Sequence, residues 1–212
     1  MSQTSTVFIL GAGGHAKVVA STLLAIGRDV GGFFDDNPSL WGKKILGISV
    51  LGPLEEVAAY RDRGRFILGI GSNLSRKVIA SKFRELEWDV VIHPRAYVDP
   101  TVSVDRGTVV FAGAILQPEA SIAEHAIINT GAIVEHDCVV KSYVHVAPGA
   151  RLAGHVVLNE GVLIGLGAVV LPGIHVGSWT VVGAGTVVHR DLSSRVTVVG
   201  VPARVIREHG NS

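Results

Sequence analysis

The chain has one cysteine, a formal net charge of only +1 across 212 residues, and no unbroken apolar run near the ~20 residues that a membrane-spanning helix needs. Each shortage excludes something. A single thiol, Cys138, cannot form an internal disulfide and fits a reducing compartment. With no basic run and no interleaving of basic and aromatic residues, the electrostatic footprint that nucleic acid requires is missing. Met1 to Thr6 carry no basic segment and are followed by only four apolar residues, Val7 to Leu10, so the start does not read as a secretory leader. A protein of the cytoplasm, without membrane or nucleic acid as partner, is expected, and its apolar residues must go into a core.

What is present is a rhythm. Stepping by six from Val98 to Val182, all fifteen positions are Val, Ile or Leu. Four residues after each lies a second series, Val102 to Thr186, in which every member is small or β-branched. A period of six with β-branched residues and nearby glycine predicts a parallel β-helix of short strands joined by tight turns. Three hexads per coil make five coils of the fifteen hexads in residues 98–187, stacked at a strand spacing of ~4.8 Å. The aliphatic series faces inward and the small series fills the corners. Cys138 belongs to the small series and reads as a packed core thiol.

The first ninety or so residues differ. "VFILGAGGHAKVVASTLLAIG" predicts a buried strand over Val7 to Leu10, a glycine loop, and a helix from about His15 to Ile26 with Val18, Val19, Leu23 and Ile26 on one face. A second strand closes on Asp35 and Asp36, "RFILGIGSN" supplies a third with a turn at Gly71, and "SRKVIASKFRELE" a second helix. This alternation implies a small parallel sheet of Rossmann type. His93-Pro94 marks the boundary, because a residue before proline is pushed into extended conformation. The expected organisation is a Rossmann-like domain over 1–93, a β-helix over 94–190 and a C-terminal tail over 191–212. The loop from Gly11 to Ala16 fits G-x-G-x-x-G/A with acids about 20 residues beyond, a pattern that lets backbone N–H groups approach a phosphate at a helix N-terminus. Glycines needed only for close packing, or a dinucleotide redox cofactor, would leave the same pattern.

Together "GAGGHAKVV", "FFDDNP", "GIGSN", "IINTGAIVEHDC" and "VVGVPAR" resemble the bacterial nucleotide-sugar N-acetyltransferases, over about residues 6–207. The similarity is to enzymes that acetylate UDP-linked 4-amino-4,6-dideoxy sugars and to GDP-perosamine N-acetyltransferases, with sialic acid O-acetyltransferases as relatives. It implies a left-handed β-helix that holds acetyl-CoA, a small domain that holds the nucleotide sugar, and a homotrimer with active sites between neighbouring prisms. By that resemblance Gly13, Gly14, His15, Asp35, Asp36 and the Gly71 turn contact the nucleotide sugar, and His145, Leu166 and Ala184 hold acetyl-CoA. His136 matches the catalytic histidine, Asp137 the acid after it, and Gly154 the oxyanion-binding backbone. Close bacterial examples can carry Glu at the acid, so the shorter Asp137 is expected to reach the imidazole less well, leaving Glu135 as an alternative.

The repeat bears on these residues independently, because positions eighteen apart share a column. His136 falls between Pro118 and Gly154, and the glycine should leave open space beside the ring. Pro148, Leu166 and Ala184 form a smooth column for a pantetheine arm. Asn129 lies near the dyad in register, as a sugar ligand or as a turn former. His155, His175 and His189 read as surface residues. Two other classes compete: a zinc hydratase of the γ-carbonic anhydrase type, using His136, His145 and His155, and a noncatalytic nucleotide-binding scaffold.

Overall fold

The computed structural model describes residues 6–210. The first five residues, on which the reading of the N-terminus partly rests, lie outside that range. The chain divides into two compact units between Pro94 and Arg95.

In the first unit, β1 (Val7–Leu10), β2 (Val30–Phe34), β3 (Lys44–Ile45), β4 (Ile48–Gly52) and β5 (Arg65–Leu68) form one sheet in the order β3-β4-β2-β1-β5. All neighbours are parallel except β3 and β4. Every residue of β1 is buried, as expected of a central parallel strand covered on both faces. Two helices, α1 (Gly14–Ala25) and α2 (Asn73–Lys82), flank the connections. The face of α1 differs from the expectation. Val18 is exposed, and Ala16, Val19, Ala20 and Leu23 are the buried stripe. Small residues win there because the helix runs very close to the sheet: a Cβ added to Gly69, just after β5, would sit 2.7 Å from the Ala16 Cβ. The helix α2 starts with Ser72, whose Oγ accepts from Ser75 N–H at 3.3 Å.

The second unit is a left-handed parallel β-helix of two-residue strands. Strands pair in parallel at a separation of eighteen residues, Ile115↔Ile133 on one face, Ser121↔Val139 on the next and Ile127↔His145 on the third. Both hexad series behave as expected: from Val110 to Val182 the aliphatic series is buried, and from Thr108 to Thr186 so is the small series. Cys138 is fully buried, its Sγ donating to the Ala153 carbonyl at 3.1 Å, and burial raises the thiol pKa to about 11. It is a core residue.

A third six-residue series escaped the sequence reading. From Gly107 to Gly185, every sixth residue has a positive φ of 56–73°. These are the corners of the triangular coil. One corner is glycine in every coil, at 113, 131, 149, 167 and 185. Another carries Gly107, His125, Tyr143, Gly161 and Trp179, where the His125 and Tyr143 rings stack at 5.5 Å and each glycine accepts a ring from the coil above. The third carries Glu119, Asp137, His155 and Gly173. Left-handed backbone disfavours most residues with a Cβ, so a corner occupied by Glu, Asp and His draws attention.

Beyond 190 the chain does not trail away as a tail. Val196–Val199 pairs in parallel with Val181–Val182, and Arg204–Glu208 closes antiparallel on Val196–Val199. Among the described residues no helix is long and apolar enough to cross a membrane.

Candidate active site

In the first unit the sheet's carboxyl edge opens into a cavity of about 470 Å³ lined by Gly11, Gly13, Gly14, His15, Asp35, Asp36, Gly69, Gly71 and Ser75 among others. The glycines of the loop have separate tasks. Gly11 has φ +101°, and a Cβ there would lie 2.8 Å from Ile70 Cγ1, so it makes the tight turn. Gly13 and Gly14 have nothing within 4 Å of the place a Cβ would occupy. Their backbone faces open space at the N-terminus of α1, where N–H groups and the helix dipole favour a phosphate.

The two acids brace this pocket as well as lining it. Asp35 accepts the Ala12 N–H at 2.8 Å on one carboxylate oxygen and the Asn37 N–H at 2.9 Å on the other. Asp36 accepts the Leu54 N–H at 2.9 Å. Asp35 thus ties the end of β2 to the glycine loop. Below the loop His15 is mostly buried, and desolvation, with the nearby Arg76 charge second, lowers its pKa to about 4. At neutral pH it is an uncharged imidazole. Arg76, only 1% exposed, donates from Nη1 to the Gly71 carbonyl at 2.8 Å and so shapes the Gly69–Gly71 turn. Sequence reasoning passed over Arg76. Its signal was an arginine sharing the buried face of α2 with Ala80, a polar interruption of an apolar i, i+4 pair.

In the prism, His136 Nδ1 lies 2.7 Å from Asp137 Oδ2. Asp137 therefore does reach the ring, against the expectation set by its length. The cause is the corner: with φ +58° at Asp137, adjacent side chains that would diverge along a strand come to the same side. The bond from His136, followed by the charges of His155 and His136, holds the Asp137 carboxyl below the usual carboxylate range. An ionised carboxylate can only accept, so in the neutral ring Nδ1 carries the proton and Nε2 keeps a lone pair.

The column arithmetic holds. Asp137 N–H donates to the Pro118 carbonyl at 3.1 Å and His155 N–H to the His136 carbonyl at 3.0 Å. The expected open space above His136, however, is not open. A Cβ on Gly154 would lie 2.5 Å from His136 Cε1 and 2.6 Å from Nε2, so the imidazole itself fills the place the missing side chain leaves. Gly154 seats the imidazole. His155, read as a mere surface residue, belongs to this group: its ring meets that of His136 edge-to-face at 5.2 Å, and its Nε2 is 3.7 Å from Asp137 Oδ2.

The remaining candidates fall elsewhere on the prism. His145 Nε2 and Asn129 Nδ2 are 3.0 Å apart, and since an amide nitrogen only donates, His145 accepts. Asn129 Oδ1 also accepts the Thr130 N–H at 2.8 Å, so it is a turn former and a partner of His145 at once. Pro148, Leu166 and Ala184 do share a column, through Gly167 N–H to the Pro148 carbonyl at 3.0 Å and Gly185 N–H to that of Leu166 at 2.8 Å. Leu166 and Ala184 are exposed.

Residues 6–83 match the PglD N-terminal domain family. Over the whole chain, the structure is similar to that of a mutant perosamine N-acetyltransferase from Caulobacter crescentus in complex with CoA and GDP-perosamine, with a TM-score of 0.92, 38% identity, and coverage of 96% of this chain and 98% of that one. The chain belongs to the nucleotide-sugar N-acetyltransferases. Also similar to this N-acetyltransferase is the acetyltransferase domain of PglB from Neisseria gonorrhoeae, 33% identical with a TM-score of 0.91, covering 95% of this chain and 99% of that domain. An uncharacterized protein, L142 of Acanthamoeba polyphaga mimivirus, is 33% identical over 113 residues, and the match spans 52% of this N-acetyltransferase but only 22% of the viral protein. Family membership displaces the hydratase and scaffold readings. The geometry concurs on the first, since His145 is paired with Asn129 and stands outside the cluster of His136, Asp137 and His155.

Proposed function

We propose that this chain transfers the acetyl group of acetyl-CoA to the C4 amine of a nucleotide-linked amino-deoxy sugar, UDP- or GDP-linked, in the cytoplasm, as a homotrimer supplying surface polysaccharide or glycan synthesis. The observation that carries the reading is the His136–Asp137 pair at 2.7 Å with its ring seated on Gly154. The related perosamine enzyme is bound to CoA and GDP-perosamine, and the PglB domain has been seen with acetyl coenzyme A.

An ammonium cannot attack a thioester, so the first requirement is loss of a proton. His136 Nε2 takes it, freeing the nitrogen lone pair to attack the thioester carbon, while Asp137 holds the Nδ1–H and stabilises the imidazolium that forms. Such general-base assistance adds ~10²- to 10⁴-fold. The oxyanion that develops is assigned to the Gly154 N–H, a donor worth about 3 kcal/mol when preorganised. The tetrahedral adduct then expels the CoA thiolate, which takes up the proton that the nitrogen sheds on becoming an amide. Gly13 and Gly14 present N–H groups to the diphosphate, with neutral His15 beneath; Asp35, Asp36 and the Gly71 turn face the nucleoside. Asn129 is placed for the sugar, and His145, Leu166 and Ala184 for acetyl-CoA.

Incubation of UDP- and GDP-linked 4-amino sugars with acetyl-CoA, followed by free thiol release, tests this, with sedimentation of the same sample. One amino-sugar nucleotide should release stoichiometric thiol in a trimeric fraction. Release with none of them rejects the reaction, and full turnover in a monomer rejects the trimer.

Asp35→Ala removes the acceptor of the Ala12 and Asn37 N–H groups, and a donor left without its partner costs about 1–3 kcal/mol. The glycine loop should loosen. The KM for nucleotide sugar is expected to rise roughly tenfold, the equivalent of ~1.4 kcal/mol, with the KM for acetyl-CoA unchanged. Equal increases in both KM values count against a division of labour between the units.

A further inference from the structure

The corner that carries Asp137 presents more than one base and its orienting acid. Asp137 and His155 occupy the same corner position in consecutive coils, with φ of 58° and 60°, so both side chains leave the prism in the same direction. His136 is fixed beside them by Gly154. Nδ1 of His136, Oδ2 of Asp137 and Nε2 of His155 are the donor types that zinc prefers. One ligand atom from each residue lies within 4.8 Å of the others.

We infer that His136, Asp137 and His155 form a site for a divalent transition-metal ion, zinc above all, and that metal bound there switches the acetyltransferase off. A tetrahedral zinc with bonds of 2.0–2.2 Å needs its ligand atoms roughly 3.3 Å apart. His155 Nε2 stands 3.7 Å from Asp137 Oδ2, and His136 Nδ1 stands 2.7 Å from it, one slightly wide and one slightly close. Rotation of the Asp137 and His155 side chains, 37% and 65% exposed, corrects both while the His136 ring keeps its seat. The backbone under them is fixed: His155 N–H bonds the His136 carbonyl at 3.0 Å. Water completes the fourth position.

Inhibition follows from the proton count on one ring. In the metal-free enzyme Asp137 accepts the Nδ1–H and leaves the Nε2 lone pair for the substrate amine. A metal on Nδ1 displaces that proton, so the neutral ring carries its remaining hydrogen on Nε2 and has no lone pair to offer. The same ion takes Asp137 away from its orienting contact. His155 does no chemistry in the acetyl transfer, which makes it the residue that separates metal binding from catalysis. The inhibitory part of the inference rests on His136 being the base; the binding part does not.

The test combines calorimetric titration of the metal-free, full-length protein with ZnCl2 and turnover in the presence of ZnCl2, for wild type, His155→Gln and His175→Gln. The wild type and His175→Gln should bind one zinc per chain and lose turnover in parallel with occupancy, recovering on addition of EDTA. His155→Gln should bind zinc at least about tenfold more weakly, as removal of supporting groups alone costs 10–100-fold, and should keep its own zinc-free rate at zinc levels that silence the wild type. Absence of stoichiometric binding to wild type overturns the site, as does equal affinity in His155→Gln. Tight binding to wild type, lost in His155→Gln, without inhibition leaves the metal site standing and removes instead the role of His136 as base.

Discussion

Replacing His136 with alanine is expected to lower kcat by about 10²-fold or more, at saturating acetyl-CoA and nucleotide sugar, with no change in melting temperature. The first half follows from the Nε2 lone pair, which no other side chain of the His136–Asp137–His155 cluster replaces: Asp137 faces Nδ1, and His155 meets the ring edge-to-face. The second half follows from position. The His136 side chain is half exposed and outside both buried hexad series, so its loss opens no core cavity of the kind that costs kilocalories. KM for acetyl-CoA should hold, because the interaction removed is one made only as the proton moves. Measuring kcat and thermal unfolding on the same preparation decides the matter. Near-normal turnover by a folded variant would move the base elsewhere or mean that the amine arrives already neutral.

Substitution of Gly154 by alanine should be almost as damaging, although alanine is the smallest side chain available. The new methyl would occupy the space now held by His136 Cε1 and Nε2, at 2.5 and 2.6 Å, and the ring must leave. Displacing a catalytic group by about 1 Å can cost ~10²-fold, so kcat should fall by that order. The backbone at Gly154 is outside the left-handed series, and the fold should tolerate the change. Gly131→Ala is the matched control. Gly131 sits at a corner with φ +65° and has nothing within 4 Å of the added methyl, so it should lose stability by roughly 1 kcal/mol or more while keeping turnover. If Gly154→Ala retains full kcat, the seat under the imidazole is dispensable.

Much of this architecture is written in the spacing of residues. The β-helix, its coil count and the columns through His136 and Leu166 follow from period alone, because strand partners are always eighteen residues away. The family resemblance singled out His136 and Asp137, and the structure joins the two by a hydrogen bond at 2.7 Å. What period cannot convey is side-chain direction. His155 lies nineteen residues from His136, one off the column, and joins it only because the left-handed corner turns its ring back toward the acid. The corner series itself was hidden since Glu119, His125, Asp137, Tyr143, His155 and Trp179 stand where glycine would announce it. The Gly154 gap was visible as a missing side chain, but a gap does not say which neighbour fills it. Arg76 and the bracing role of Asp35 depend on loop geometry around the glycine turn, to which no periodicity applies.

Contacts at a separation of eighteen make the prism a counting device. Each residue is addressed by its number modulo eighteen, and the cluster of His136, Asp137 and His155 is a statement about two neighbouring addresses, 136 with 154 and 137 with 155. Six residues gained or lost between them would keep every aliphatic side chain inward and every corner left-handed, yet carry Gly154 and His155 round to the next face of the triangle. Such a chain would fold and would have no seat for the His136 ring. Heritable variation in the length of this segment is therefore confined to whole coils or to loops that bulge outward without altering the count, whereas the glycine loop of the first unit, held by hydrogen bonds rather than by register, is under no such arithmetic.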